Sequence, residues 1–392
     1  MTRRITLLGA TGSVGTSAAD VIAAAPDMFE VHAVTARRNG AKLAETARRL
    51  HARRAVMAEE ANFAALRDDL FGSGIRVAAG SAAMEEAAAE PVDMVLSAIV
   101  GAAGLRATAA AIKSGSHIAL ANKECLICAG GAFMALARKH SVRVLPVDSE
   151  HNALYQLLDR REAADIRTYT LTASGGPFRT WPAEKIAQAT PKQAVAHPTW
   201  SMGAKISVDS ATLMNKGLEL IEAHHLFGLT PDALDVIVHP QSVVHALITF
   251  RDGSIHAELG PADMRRPIGY CLHWPERVRE PVSTLDLVGV GQLTFERPDL
   301  ARFPALGLAM GALRQGGGAA TVLNAANEVA VAAFLAGRIA FTAIPEIVEI
   351  TLTAADSEGL LRTPASIDEA LQLDAVARRV AEADLKRRGA AA

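Results

Sequence analysis

Short apolar runs alternate with longer helical ones through the first third of the chain. The stretches "RITLLGA", "FEVHAVTA", "VDMVLSAIVGA", "SHIALANKE" and "VRVLPVD" are apolar at successive positions, which predicts strands buried on both faces. Such strands, separated by helical periods, predict an α/β fold with a Rossmann-like parallel sheet over residues 1–147. Between Leu171 and Leu259 the pattern becomes mixed: "TYTLTAS", "DVIVHPQ", "VVHALITF" and "SIHAELG" are strand candidates around a long helix after Asp209. This predicts a central α+β domain with an antiparallel sheet, residues 148–282. An irregular segment with Gly289, Gly291 and Pro298 forms a linker, 283–303, and only helical periods follow, predicting a C-terminal helical bundle over 304–392.

Charge and composition narrow the function. With 40 basic and 42 acidic residues the formal net charge is −2, and no dense basic block occurs, so a nucleic-acid partner is not expected. A small anionic ligand in a local basic pocket fits better. No run of roughly eighteen uncharged apolar residues is present, so no membrane span is expected. The start "MTRRITLLGATGSVG" has basic residues before an apolar run, yet the run is short and breaks at glycines, which suits a strand better than an export signal. Three cysteines, Cys125, Cys128 and Cys271, make no disulfide framework and suit a reducing, cytoplasmic compartment. Cys125 and Cys128 form a C-x-x-C without a second Cys/His pair, so two small buried thiols are the better reading than zinc or redox chemistry.

The first strand runs into "GATGSVG", with Gly9, Gly12 and Gly15, and then a helix whose apolar face is Val14, Ala18, Val21 and Ile22. Glycines let the turn tighten and bring backbone N–H groups close to a pyrophosphate at the helix N-terminus. The spacing is G-x-x-G-x-x-G rather than the strict dinucleotide G-x-G-x-x-G, so its position after the first strand of an alternating domain carries the argument. About twenty residues on comes "ARRN". Arg37 and Arg38 there would attract the 2′-phosphate of NADP, where an acidic residue would repel it. NADPH is the expected cofactor.

In "LPVDSEHNALYQLL" the carboxylates Asp148 and Glu150 stand two residues apart where an apolar run gives way to a helical one. An extended segment would send both to one side, but on spacing alone the better reading is that Asp148 or Ser149 caps the helix that follows. The later stretch "SVDSATLMNKGLELIEAHHLFG" reads as a helix capped near Asp209 or Ser210, with Leu213, Leu220 and Ile221 on its apolar side and Asn215, Lys216, Glu219 and Glu222 opposite. A solvated face with a Lys216–Glu219 pair is the plain reading of that second side. Gly217, mid-helix, costs roughly 1 kcal/mol against alanine and suggests a close approach to the backbone. If Glu219 joins Asp148 and Glu150 at about 5 Å, the three mutual repulsions approach roughly 10 kcal/mol at an effective dielectric near 20. Such a cluster needs a cation, and oxygen-only ligands select Mg²⁺ or Mn²⁺ over zinc.

Taken together, "GATGSVG", "ALANKE", "LPVDSEHNA", "SGGPF", "HPTWSMGAKISVDSATLMNKGLE", "HPQSVVHA" and "LNAANEVAVAAFL" resemble the 1-deoxy-D-xylulose 5-phosphate reductoisomerase family. The resemblance runs from the first strand to the C-terminal helices. It implies an NADPH- and divalent-metal-dependent rearrangement and reduction of 1-deoxy-D-xylulose 5-phosphate to 2-C-methyl-D-erythritol 4-phosphate, in non-mevalonate isoprenoid biosynthesis. By this resemblance Asp148, Glu150 and Glu219 match the ligands of one Mg²⁺ or Mn²⁺ per subunit and, with Lys123, the catalytic set. Lys123, Ser149, Glu150 and Glu219 match residues at the reacting carbon chain, while Ser174, His197, Trp200, Ser210, Asn215 and Lys216 match the pocket for the substrate and its phosphate. Thr11, Gly12, Ser13 and Val14 match the pyrophosphate loop, and Asn122, Glu124 and Gly203 match further cofactor contacts; Arg37, Arg38 and Asn39 join the cofactor set through the reading of "ARRN" above.

The segment "AVAHPTWSMG", residues 194–203, resembles the family's mobile lid, with Trp200 and Met202 folding over the ligand; a homodimer is also implied. Two departures stand out: "ARRN" is more basic than the usual Gly-Lys pair, and Leu272 replaces a methionine often found near the nicotinamide. The rivals are a plain NADP-dependent dehydrogenase of the homoserine type, indifferent to chelators, and a non-catalytic NADP-binding sensor, which leaves the acidic residues without a purpose.

Overall fold

The computed structural model describes residues 2–158 and 163–390. Its chain divides into two compact units, neither contiguous in sequence: residues 1–125, 133–152 and 263–283 in one, and 126–132, 153–262 and 284–392 in the other. Residues 263–282, placed by sequence order with the central domain, belong with Ser283 to the first unit. The long C-terminal helices cluster with the second sheet.

The first unit is built on a parallel sheet of seven strands: β1 (Arg3–Leu8), β2 (Phe29–Ala36), β3 (Arg54–Met57), β4 (Arg76–Ala79), β5 (Met94–Ser97), β6 (His117–Leu120) and β7 (Val144–Pro146). Their order is β4-β3-β2-β1-β5-β6-β7, so the winding reverses between β1 and β5. In such sheets ligands gather beyond the carboxyl ends of the strands at that reversal. The apolar runs behave as their residues require: β5 is buried throughout, and β2 at every position but Glu30. Two strands, β3 and β4, escaped the hydrophobic pattern because each opens on an arginine and is bounded by charged or glycine-rich turns, so neither stands out as an apolar run.

The second unit carries β8 (Ile166–Ala173), β9 (Leu234–Val238), β10 (Val244–Phe250) and β11 (Ile255–Leu259), in the order β11-β10-β8-β9. The expected antiparallel sheet is in fact mixed, since β8 and β9 pair in parallel. The helix after Asp209 is also corrected. There are two helices, Ala204–Ala211 and Met214–Phe227, separated at Leu213, whose φ of 60° is left-handed. A left-handed leucine is strained, and it persists here because the side chain is buried in the core.

That break turns the second helix so that its polar side faces inward: Lys216, Glu219 and Glu222 are buried, and Asn215 is half-buried. The solvated-face reading therefore fails. Gly217 has the close neighbour its position implied, because a Cβ there would sit 2.3 Å from the Ala309 Cβ of the helix Pro304–Gln315. A single core joins Leu171, Phe178, Leu218, Leu306, Phe334 and Ile344 across the sheet and the C-terminal helices.

Within the first unit, Glu280 lies against Gly269 of the helix Arg265–His273, where an added Cβ would be 2.0 Å from its carboxyl carbon. Its side chain is 11% exposed, with His273 Nε2 at 3.8 Å. Burial raises the Glu280 carboxyl from 4.5 to about 7. A raised carboxyl costs the fold nothing below its unfolded pKa near 4.5, then progressively more until the folded group ionises near 7. Glu280→Gln should thus stabilise the protein by about 1–2 kcal/mol at pH 8, after allowing for its partial hydration, and by much less at pH 5. Urea unfolding at both pH values checks this; an equal effect at both would contradict it.

Candidate functional site

All the first-unit candidates stand where parallel strands end. β1 leads into the glycine loop, in which Gly9 has φ +89° and faces the Ala98 carbonyl so closely that a Cβ would lie 2.6 Å from its oxygen. Gly15 lies equally tight on the loop, its Cβ position 2.3 Å from Gly9 O. Gly12 is different. Its Cβ position meets only Gly9 O at 3.6 Å, so the protein itself does not demand a glycine there, whereas a ligand approaching the backbone would. The helix begins at Ser13, leaving Thr11, Gly12, Ser13 and Val14 at its N-terminus, all half-buried or exposed.

A cavity of about 530 Å³ opens along this edge, lined by Gly9, Thr11, Gly12, Arg37, Glu59 and Val100 among others. This space and the bare glycine loop suit a dinucleotide. Arg37 and Arg38 follow β2 and both donate to Glu59, which follows β3. Asn39 caps the helix Gly40–Arg49, its Oδ1 accepting from Lys42 N at 3.0 Å. Past β6, Asn122 is buried and donates to Gly101 O at 3.1 Å, while its Oδ1 has no partner among the described residues. A buried amide oxygen left unpaired is costly, and a donor such as a carboxamide would satisfy it. Glu124, also buried, lies in the first turn of the helix Glu124–Lys139.

The acidic pair stands beyond β7. Asp148 caps the helix Ser149–Leu158, its Oδ1 accepting from Glu150 N at 3.3 Å, so the capping reading holds for the backbone. Capping does not exhaust the residue. Asp148 Oδ2 accepts from Lys123 Nζ at 2.8 Å, in a pair whose side chains are only 7% (Lys123) and 12% (Asp148) exposed. His151 Nδ1 lies 3.3 Å from Asp148 Oδ1, and Ser149 Oγ donates to Glu150 Oε2 at 2.5 Å. Asp148 and Glu150 each bring a carboxylate oxygen within 4.8 Å of the other's. His151 went unnoticed in the sequence, although its position three residues after Asp148 on a helix was a usable signal.

In the second unit Glu219 is 1% exposed and accepts from Lys216 Nζ and Asn215 Nδ2. Ser210 is half-buried on the preceding helix. Its neighbour Asp209, buried at 1%, is held by Lys205 Nζ and Asn327 Nδ2, both at 2.8 Å, which fixes this helix to the helix Ala319–Leu335. Ser174 ends the run from β8, and its Oγ lies 2.8 Å from His197 Nε2. The backbone N–H groups of Thr199 and Trp200 donate to His197 Nδ1 at 3.2 and 2.9 Å. Nδ1 is therefore the acceptor, and Nε2–H donates to Ser174. Burial holds the His197 pKa below the usual histidine value, which keeps the ring neutral at neutral pH. Trp200 is half-buried with its ring centroid 6.3 Å from that of His245, and Met202 and Gly203 follow, Gly203 capping the helix Ala204–Ala211.

Three stretches match models of one family: residues 5–130 match 1-deoxy-D-xylulose 5-phosphate reductoisomerase, 144–227 its C-terminal domain, and 259–380 the DXP reductoisomerase C-terminal domain. The chain is 54% identical over 379 residues to a 1-deoxy-D-xylulose 5-phosphate reductoisomerase of Rhodospirillum centenum, covering 97% of this chain and 93% of the relative. It is 52% identical, with the same coverage, to one from Nitrobacter hamburgensis. Among solved structures, the Zymomonas mobilis enzyme in complex with NADPH superposes with a TM-score of 0.91 at 47% identity, covering 98% of this chain and 99% of the other. A DOX-P reductoisomerase in complex with NADPH, fosmidomycin and magnesium gives 0.92 at 42% identity, covering 98% of each.

Lys123 is a cation paired with Asp148 in the first unit. Lys123→Met should lower stability by about 2–4 kcal/mol, because it leaves a nearly buried carboxylate beside Glu150 without its ammonium group. Urea unfolding of metal-free protein measures this, and an unchanged midpoint would contradict the charge assignment.

Proposed function

The chain belongs to the 1-deoxy-D-xylulose 5-phosphate reductoisomerase family, and on that premise we propose which of its residues carry out the NADPH- and metal-dependent conversion to 2-C-methyl-D-erythritol 4-phosphate. The observation that carries the assignment is the pair Asp148 and Glu150 beyond β7, with the nearly buried Lys123 beyond the neighbouring β6. Asp148, Glu150 and Glu219 are the ligand set for one Mg²⁺ or Mn²⁺. All are carboxylates, the donors that hard divalent ions prefer. When bound, the ion acts as a Lewis acid toward the substrate oxygens whose charge rises as the carbon skeleton rearranges.

Lys123 adds a fixed positive charge beside those oxygens, and its hydrogen bond to Asp148 keeps both groups in place. Ser149, held on Glu150, orients that carboxylate and faces the reacting chain. Ser174, His197, Ser210, Asn215 and Lys216 receive the substrate and its phosphate. His197, neutral, donates from Nε2, and Lys216 supplies charge. Thr11, Gly12, Ser13 and Val14 would hold the pyrophosphate of NADPH, and Arg37, Arg38 and Asn39 its 2′-phosphate; bound there, the cofactor would supply the hydride. Asn122, Glu124 and Gly203 complete the cofactor contacts, the unpaired Asn122 Oδ1 supporting its place. Residues 194–203 form a lid in which Trp200 and Met202 close over the ligand and exclude water.

Strand β11 lies at a sheet edge and exposes Ile255, His256 and Ala257, which supports a homodimer that covers it. No described helix is long and apolar enough to cross a membrane. Three free cysteines support a cytoplasmic setting.

The test mixes purified protein, 1-deoxy-D-xylulose 5-phosphate and NADPH and follows NADPH absorbance with and without EDTA. Turnover should stop with EDTA and return with excess Mg²⁺ or Mn²⁺. Glu219→Gln should reduce turnover by roughly a thousandfold or more while changing the NADPH dissociation constant by less than about threefold. Chelator-insensitive turnover, or a parallel loss of NADPH binding, would contradict the assignment.

A further inference from the structure

Arg37 and Arg38 leave the end of β2, and Glu59 leaves the end of the adjacent β3. The Glu59 carboxylate accepts from both arginines through Nε alone: Arg37 at 2.9 Å on Oε1, and Arg38 at 2.8 Å on each oxygen. The terminal guanidinium nitrogens of Arg37 and Arg38 have no partner among the described residues, and the two side chains are 72% and 66% exposed. The backbone ties the same loops together, Glu59 N donating to Arg37 O at 3.1 Å. Arg37 and Glu59 line the same cavity as the glycine loop.

This arrangement performs two opposed jobs. By occupying the Nε edges, the carboxylate limits the rotamers of two long side chains and leaves their terminal N–H groups available, which suits a planar, bidentate grip on a phosphate. Yet it also cancels one of their two charges, and a carboxylate is the group that ordinary NAD sites offer to ribose hydroxyls. A phosphate monoester carries about −1.5 to −2 at neutral pH, so a nearby negative charge matters to it far more than to a neutral ribose. The hydrogen bonds from Arg38 and then Arg37 hold the Glu59 carboxyl below its ordinary pKa, and it stays ionised at neutral pH.

We propose that Glu59 is a specificity-determining residue of the cofactor site, which positions Arg37 and Arg38 and sets, through its own charge, how strongly they prefer a 2′-phosphorylated ribose to a plain one. The inference rests on the NADPH reading above. It differs from the reading of Glu59 as an ordinary surface ion pair, which would leave cofactor choice untouched.

The experiment is calorimetric titration of the full-length, metal-free protein with NADPH and with NADH, at low and high salt. Wild type should bind NADPH more tightly, and Arg38→Ala should lose much of that margin; this pair of measurements tests the cofactor reading. Glu59→Gln keeps an acceptor oxygen for both Nε groups but removes the charge. It should tighten NADPH by about tenfold at low salt, change NADH by less than about twofold, and show a smaller gain at high salt. Glu59→Ala, which loses both the charge and the grip on Nε, should gain less than Glu59→Gln. Glu59 is on the surface, so circular dichroism should show both variants folded. If wild type prefers NADPH and Arg38→Ala loses the margin, while Glu59→Gln leaves the NADPH-to-NADH ratio unchanged or lowers it, the inference falls and the cofactor reading stands. If wild type shows no preference for NADPH, both fall.

Discussion

Carboxylate charge removed from water must be offset, and the chemistry of this protein is arranged around that requirement. In the first unit Asp148 is met by Lys123 and by the N-terminus of the helix it caps. In the second, Glu219 is met by Lys216 and Asn215. Removing one member of such a pair leaves an uncompensated charge, which costs far more than the pair contributes. Each lysine also fixes where its partner's oxygens point, because the ion pair holds the carboxylate in one orientation.

The scaffold makes this precision possible. Each first-unit candidate leaves the same edge of one parallel sheet, on turns a few residues long that follow strands whose last residues are buried. A short turn on a rigid strand has few alternatives, so Asn122, Lys123 and Asp148 inherit the order of β6 and β7. The second unit reaches the same end differently. There the left-handed Leu213 ends one helix and redirects the next, while Ala309 packs on Gly217 and fixes the rotation that buries Lys216 and Glu219. Strain at one leucine is exchanged for the placement of two charged groups.

Much of this was legible in the sequence, for identifiable reasons. β2 matched its apolar run residue for residue, and the glycine loop announced itself because φ > 0 at Gly9 and the contact at Gly15 leave no room for a side chain. The mid-helix Gly217 correctly signalled a close neighbour. Features that depend on tertiary context were not legible. β3 and β4 open on arginines between charged or glycine-rich turns and show no apolar run, the parallel β8–β9 pairing is a matter of topology, and the break at Leu213 sits inside an unbroken helical pattern. The polar side of the following helix looked solvated because periodicity says that a face is polar, not what covers it. Glu59 was invisible for a related reason: its partners lie more than twenty residues away and meet it only when β2 and β3 pair.

The central claim is that Asp148, Glu150 and Glu219 share one divalent ion. It is tested most directly by anomalous diffraction from crystals grown with Mn²⁺. The account predicts a single strong manganese peak in each chain, bonded to an oxygen from each of the three carboxylates. A peak elsewhere, or one that omits Glu219, would contradict it.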